Sequence, residues 1–181
     1  MFPKPYADIV ARLRVPSGFL IVVVFAWGAQ PTMESMLWGL PVSLLGLLLR
    51  GWAAGCLAKN QQLATGGPYA YTRNPLYVGT LLVAAGLSIA SRSPGLAILF
   101  AAVFLLVYLP VIQNEEQHLR KLFPVYADYA DRVPMLLGRR RRLVQPGALF
   151  RWQLYFKNQE YQAAIGYFAG LLFLFWKTGV A

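Results

Sequence analysis

The chain is poor in charge, in cysteine and in histidine, and each shortage excludes something. Of its 181 residues only 13% are charged, whereas 57% are hydrophobic. A soluble domain carries roughly 25% charged residues. One of this size cannot hide so much apolar surface, which excludes that class; mean hydropathy is +0.48. The same apolar content, with 14% aromatic residues, excludes a disordered chain. The single cysteine, Cys56, sits inside an apolar run. No intrachain disulfide can form, and the residue reads as a small buried apolar group. The single histidine, His118, has no second histidine and no cysteine partner, which argues against a transition-metal site and against a histidine-based nucleophile triad. It reads as a solvated interfacial residue. No GxGxxG or GxxxxGK[ST] string occurs, so no phosphate-cradling fingerprint is present.

Acids are scarce as well, 7 against 17 bases, for a net charge of +10. On a soluble chain that balance would point to nucleic acid. Here the bases stand between apolar runs, as membrane topology requires, so membrane lipids rather than nucleic acid are the expected partners. The expected fold class is all-α: a polytopic integral membrane helical bundle, with residues 1–181 forming one domain. About five spans are expected, over Ser17–Ala29, Leu37–Ala58, Leu76–Ser91, Gly95–Ile112 and Tyr161–Trp176. The first is short and borrows residues from a flank. It has the basic prelude of a signal peptide (Lys4, Arg12, Arg14), but Gln30-Pro31 follows without a small-residue cleavage site, so a retained helix is expected. Basic residues place the N-terminus, the loop Lys59–Pro75 and the segment Gln113–Glu160, with its run Arg139–Arg142, on the cytoplasmic side. Five spans then put the C-terminus outside. The two most polar segments thus emerge on one face, at the two ends of one helical hairpin, where a cytoplasmic cofactor pocket is expected.

Residues able to carry chemistry gather in those two segments. In the loop, Gly66-Gly67-Pro68 make a turn whose backbone can approach a ligand closely. Pro75 is suited to the first turn of a helix. Arg73 and Asn74 then stand where amide hydrogens and the helix dipole favour an anion such as a carboxylate. The same loop also reads as a membrane-entry turn with Tyr69, Tyr71 and Tyr77 as an interfacial belt. Glu115-Glu116 follows the most apolar run; one carboxylate is expected to face the site and the other to pair with a base such as Arg120 or Lys121. Arg50, inside the second span, either snorkels or meets a substrate headgroup. The run Arg139–Arg142 is expected to touch anionic lipid. The aromatic and charged stretch Phe150–Tyr161 reads as an interfacial helix lining a pocket mouth, so Arg151 and Asn158 join Arg50 as candidates for substrate contact.

At these positions the chain resembles the isoprenylcysteine carboxyl methyltransferase family, within the wider group that includes phospholipid N-methyltransferases. The resemblance runs through Gly67, Tyr69, Arg73, Pro75, Tyr77 and Gly79, then Glu115, Glu116, Leu119, Phe123, Tyr126, Tyr129, Val133 and Pro134. It covers roughly 61–134, and leaves 139–181 as a C-terminal interfacial segment and last helix. It implies S-adenosylmethionine as cofactor, with Gln61, Gln62, Leu63, Ala64, Tyr69, Asn74, Pro75, Leu76 and Tyr77 lining its pocket and Glu115 as its acidic partner. Glu115, Glu116 and Arg73 are the implied catalytic set. Two departures stand out. Asn74 occupies a position where many members have His, which keeps hydrogen bonding but not titration near neutral pH. Val111 stands where prenylcysteine enzymes carry a substrate-binding Arg, which argues against a prenylcysteine acceptor. The expected function is S-adenosylmethionine-dependent methyl transfer to an amphiphilic acceptor, carboxyl O-methylation first and phospholipid or other amine N-methylation second. An NADPH-dependent, sterol-reductase-like enzyme and a non-catalytic membrane scaffold are the remaining alternatives.

Overall fold

The computed structural model describes residues 4–137 and 149–180. The run Arg139–Arg142 and the side chains of Lys4, Arg12 and Arg14 lie outside the described residues. All regular structure among the described residues is helical: α1 (Lys4–Gly28), α2 (Met33–Gly55), a 3₁₀ turn (Gly67–Ala70), α3 (Pro75–Ser91), α4 (Pro94–Val103), a π-helical segment (Phe104–Tyr108), α5 (Leu109–Leu122), α6 (Tyr126–Arg132), α7 (Trp152–Lys157) and α8 (Tyr161–Val180). From α4 to α5 the chain is one unbroken rod, Pro94–Leu122. Among the described residues, this rod and α2 are the two helices long and apolar enough to cross a membrane; Gly18–Gly28 and α3 are shorter apolar helices. The all-helical, membrane-type architecture follows the expectation, while the count of five spans does not follow from helix length and apolarity.

Local sequence explains where the helices start. Thr32 caps α2: its hydroxyl accepts from Ser35 N–H, and the Ser35 hydroxyl accepts from Thr32 N–H in return. Pro75 and Pro94 occupy the first turns of α3 and α4, where a missing N–H costs nothing. Pro110 lies inside the rod and cannot donate to the Leu106 carbonyl one turn earlier. The Tyr6 hydroxyl from α1 donates to that carbonyl at 2.7 Å, and the π segment immediately before relieves the crowding.

Helices α2 and α3 meet through small residues. A Cβ on Gly86 would lie 2.3 Å from Ser43 N, and one on Gly46 would lie 2.6 Å from Gly79 O. Backbones approach this closely only when side chains are absent, which is how helices associate where lipid removes the hydrophobic drive. Many large apolar side chains face outward, among them Phe19 at 72%, Leu45 at 61% and Ile98 at 71% exposure. That inversion of the soluble pattern is the surface a bilayer would cover. The α2–α3 pair also carries the loop 56–74 at one end and brings it against α5, α6 and α7, where the site lies.

Candidate functional site

The loop after α2 is closed by Gly67, whose φ of 58° is the left-handed region that favours glycine. The 3₁₀ turn that follows points Tyr69 inward, and the chain then enters α3 through Arg73, Asn74 and Pro75. Segment 133–135, beyond α6, locks this entry. Arg73 N–H donates to Pro134 O at 2.9 Å, the Thr72 hydroxyl donates to Met135 O at 3.2 Å, and Asn74 Nδ2 donates to Met135 O at 3.0 Å. Tyr129 Oη reaches back to donate to Tyr69 O at 2.8 Å. Val133, wholly buried, packs with Tyr126, Tyr129 and Ala130 against Leu63, Leu119 and Phe123. Tyr and Val-Pro positions far down the chain therefore hold the loop in place.

On this frame the two carboxylates of α5 take different partners. Glu116 Oε1 accepts from Asn74 Nδ2 at 3.2 Å and lies 3.0 Å from Arg73 Nε. The latter is an ion pair by distance, but its direction misses hydrogen-bond alignment. Arg73 instead donates through Nη1 to Ala130 O at 3.1 Å. Glu116 thus pairs with Arg73 rather than with Arg120 or Lys121, a correction to the expectation from α5 alone. The arginine is 43 residues away in sequence but is delivered by the α3 entry. Glu115, 100° around the helix, is solvent-exposed and accepts from Tyr77 Oη at 3.0 Å. One carboxylate is built into the scaffold and the other is presented.

Tyr69 stands at the centre. Its side chain is 6% exposed and its hydroxyl has no hydrogen-bond partner among the described residues. Burial, followed by neighbouring Tyr129, Cys56, Glu115 and Glu160, pushes its pKa far upward and keeps the phenol neutral. Burial also raises Tyr126, where Glu116 adds to the effect and Arg73 opposes it, and raises Tyr129, helped by Tyr126 and opposed by Arg73. An orphaned, neutral donor beside an exposed carboxylate is a place for a polar ligand, because leaving such a group dry and unpaired costs free energy.

The other expected site residues divide by position. Leu63 belongs to the apolar cluster under α6, while Ala64 and Leu76 pack around Ala53, Cys56 and Tyr69. Pro75 is buried at the start of α3, and Gln61 and Gln62 are exposed on the turn after Ala58. His118 is exposed and Cys56 buried. Burial raises the Cys56 thiol, partly offset by the Arg151 charge.

Of the three expected substrate contacts, the side chains of Arg50 and Asn158 hold partners within the chain. Arg50 neither snorkels nor offers a free guanidinium: Nε and Nη2 clamp Glu160 at 2.6 and 3.1 Å, and Nη1 donates to Thr80 Oγ1 and, more distantly, to Leu76 O. Asn158 Nδ2 donates to Ala54 O and Leu57 O, both at 2.9 Å, and so caps the end of α2. Arg151 is exposed, and its backbone N–H donates to Gly55 O at 2.9 Å. Glu160, 7% exposed at the threshold of α8, was missed from sequence. The signal was there, since an arginine within an apolar helix needs a counter-charge. Among the described residues no group of three or more His, Cys, Asp or Glu side chains is placed to hold a metal ion.

Known proteins supply the class. Residues 36–125 match the family model described as phospholipid methyltransferase, a stretch running from α2 through Glu115-Glu116 to the loop before α6. Over that stretch the chain is similar to a family of membrane methyltransferases; the narrower isoprenylcysteine family is not singled out. Over 106 residues the chain is 38% identical to the cobalt-zinc-cadmium resistance protein CzcN of Cupriavidus metallidurans, covering 55% of this chain and 49% of that protein. It is 37% identical over 106 residues to the nickel-cobalt-cadmium resistance protein NccN of Alcaligenes xylosoxydans xylosoxydans, covering 55% and 50%. The chain thus spans about half the length of the curated relatives it matches. No solved structure matches it.

Proposed function

We propose that the protein transfers a methyl group from S-adenosylmethionine to an amphiphilic, lipid-like acceptor at the cytoplasmic face of a membrane crossed by five helices. The observation that carries this reading is the convergence of Tyr69, Asn74 and Tyr77 on Glu115 and Glu116, from segments about forty residues apart. The donor set suits the cofactor: the unpartnered Tyr69 hydroxyl offers a hydrogen bond inside the fold, and the exposed Glu115 offers a negative charge to a cation. When bound, S-adenosylmethionine supplies an electrophilic methyl group on a sulfonium centre. Glu115 balances that charge and Tyr77 fixes the carboxylate's direction. Glu116, with Arg73 and Asn74, holds the α3 entry in register.

Carboxyl O-methylation remains the preferred reaction, on the resemblance to the isoprenylcysteine enzymes. It needs no proton removed, consistent with a site whose one nearby histidine, His118, points to solvent. Positioning donor and acceptor in line would supply much of the acceleration. A second reading, N-methylation of a phospholipid amine, draws on the description of the matched family; Glu115 would then take the amine proton. The metals in the relatives' names belong to those proteins, and no reaction is carried over from them.

Detergent-purified protein should bind S-adenosylmethionine in a calorimeter, and Glu115→Ala should weaken that binding. A screen of lipid extracts with a labelled methyl donor then separates the reactions. Label released as methanol by mild base marks an ester, and base-stable label marks an amine. Binding of NADPH alone, or of neither compound, would overturn the methyltransferase reading.

A further inference from the structure

A second concavity lies at the far end of the molecule from the methyl-transfer site. The α1–α2 connection, the α3–α4 connection and the last turns of α8 enclose about 540 Å³, lined by Trp27, Gln30, Thr32, Arg92 and Lys177 among others. The 23 residues of α2 run from this cavity to Gly55 beside the site; at 1.5 Å per residue the separation is about 34 Å, close to a bilayer's hydrocarbon thickness.

The cavity is built rather than incidental. Gln30 N–H donates to Ser91 O at 2.8 Å and the Ser35 hydroxyl donates to Ala90 O at 2.8 Å, pinning the two connections together over wholly buried Ala29, Ala90 and Ser91. Lys177 Nζ donates to Ala26 O at 2.8 Å, which seats the ammonium at the carbonyl end of α1. Arg92 occupies the left-handed cap of α3 with φ 51°, a position at which glycine is usual. No acidic residue lines the cavity, and neither ion pair among the described residues involves Arg92 or Lys177. The acid near in sequence, Glu34, is exposed outside the lining.

Two cations with no carboxylate, beside an amide and a hydroxyl, select an anion, and the planar guanidinium favours an oxyanion it can grip with two N–H groups. We propose that this cavity binds a phosphate group through Arg92 and Lys177, on the membrane face opposite the methyl-transfer site. Trp27, Trp38 and Trp176 stand exposed around the same end at 88%, 68% and 63%. Such residues mark headgroup depth, so the phosphate of a lipid headgroup is the nearer source and free phosphate the other. The location relative to the bilayer rests on the five-span reading above; the anion chemistry does not.

The test uses the full chain in a zwitterionic detergent, titrated separately with phosphatidylglycerol in mixed micelles and with inorganic phosphate. Arg92→Asn is the main variant, because asparagine tolerates the left-handed backbone while removing the charge. Lys177→Gln is the second, and thermal unfolding shows whether either variant has lost its fold. The wild type should bind phosphatidylglycerol at least about tenfold more tightly than Arg92→Asn, the loss expected when one charged hydrogen-bond partner is removed. Methyl transfer by Arg92→Asn should match the wild type. Binding of inorganic phosphate alone, abolished by Arg92→Asn, supports the anion site and assigns it to free phosphate. Equal phosphatidylglycerol binding by wild type and a folded Arg92→Asn, or binding of neither probe, would overturn the proposal whatever the methyl-transfer assay shows.

Discussion

Removing the Glu160 carboxylate should destabilise the protein by about 3 kcal/mol, the lower end of what breaking a buried ion pair costs. The side chains of Arg50 and Glu160 are 23% and 8% exposed, and the pair is bidentate, at 2.6 and 3.1 Å. In Glu160→Ala the guanidinium would keep only Thr80 and Leu76 O as partners inside an apolar helix pair. That residual solvation, with Arg50's partial exposure, sets the lower end of the range. For a chain of this length, 1 kcal/mol moves Tm by about 2–4 °C, so the expected loss is about 6–12 °C. Cys56 provides the assay. It is the one cysteine and it is buried at the end of α2, so a thiol-reactive fluorophore reports when the α2 terminus opens. Circular dichroism supplies a second probe. Arg50→Met should cost a similar amount by stranding Glu160, whereas the double variant Arg50→Met/Glu160→Met should recover most of the loss. The cycle should return a coupling of at least about 2 kcal/mol. Single variants within 2 °C of the wild type, or additive losses, would refute the brace. Methyl transfer by a folded double variant separates two roles: retained activity marks Arg50 as structural, and lost activity marks it as a substrate contact.

Three further outcomes follow from the geometry. Gly86→Ala forces a Cβ to within 2.3 Å of Ser43 N and 2.5 Å of Gly39 O, so it should cost about 3 kcal/mol in thermal unfolding. Gly166→Ala, with nothing within 4 Å, should be neutral or stabilise by up to about 1 kcal/mol; equal effects would contradict the close α2–α3 contact. Glu116→Gln should lower Tm by loosening Arg73 and Asn74, while Glu115→Gln should leave Tm unchanged and weaken S-adenosylmethionine binding about tenfold in calorimetry. The reverse pattern would exchange the two roles. Tyr69, Tyr126 and Tyr129 all have pKa values raised on folding. Their contribution is complete below the unfolded tyrosine value of about 10 and is lost as pH rises beyond it, because only the unfolded chain releases those protons. Tyrosinate absorbance from these three should therefore appear together with unfolding in an alkaline titration, not before it.

Class and local punctuation were legible without a structure. Charge scarcity and apolar runs mark a membrane-type helical chain because so many apolar side chains with so few charges exceed what a chain of this length can bury however it folds. Pro75 marks where α3 begins and Gly66-Gly67-Pro68 marks the 3₁₀ turn before it, because proline and glycine act through their own backbone. The ordered positions from Gly67 to Pro134 fall within or just beyond the stretch similar to the phospholipid methyltransferase family, 36–125, because spacing along the chain is readable without the fold. Tertiary structure alone decided the pairings. Arg50 meets Glu160 across 110 residues, Glu116 turns to Arg73 instead of the bases on its own helix, and Asn158 caps the end of α2. A one-dimensional pattern states that a buried charge or an open helix end needs a partner, but the partner is chosen by which helices pack together. Here that choice falls to the close glycine contact of α2 with α3 and to the docking of α7 against the end of α2. The cavity at Arg92 and Lys177 has the same origin: two bases 85 positions apart in the chain line one cavity only because two connections and the end of α8 come together.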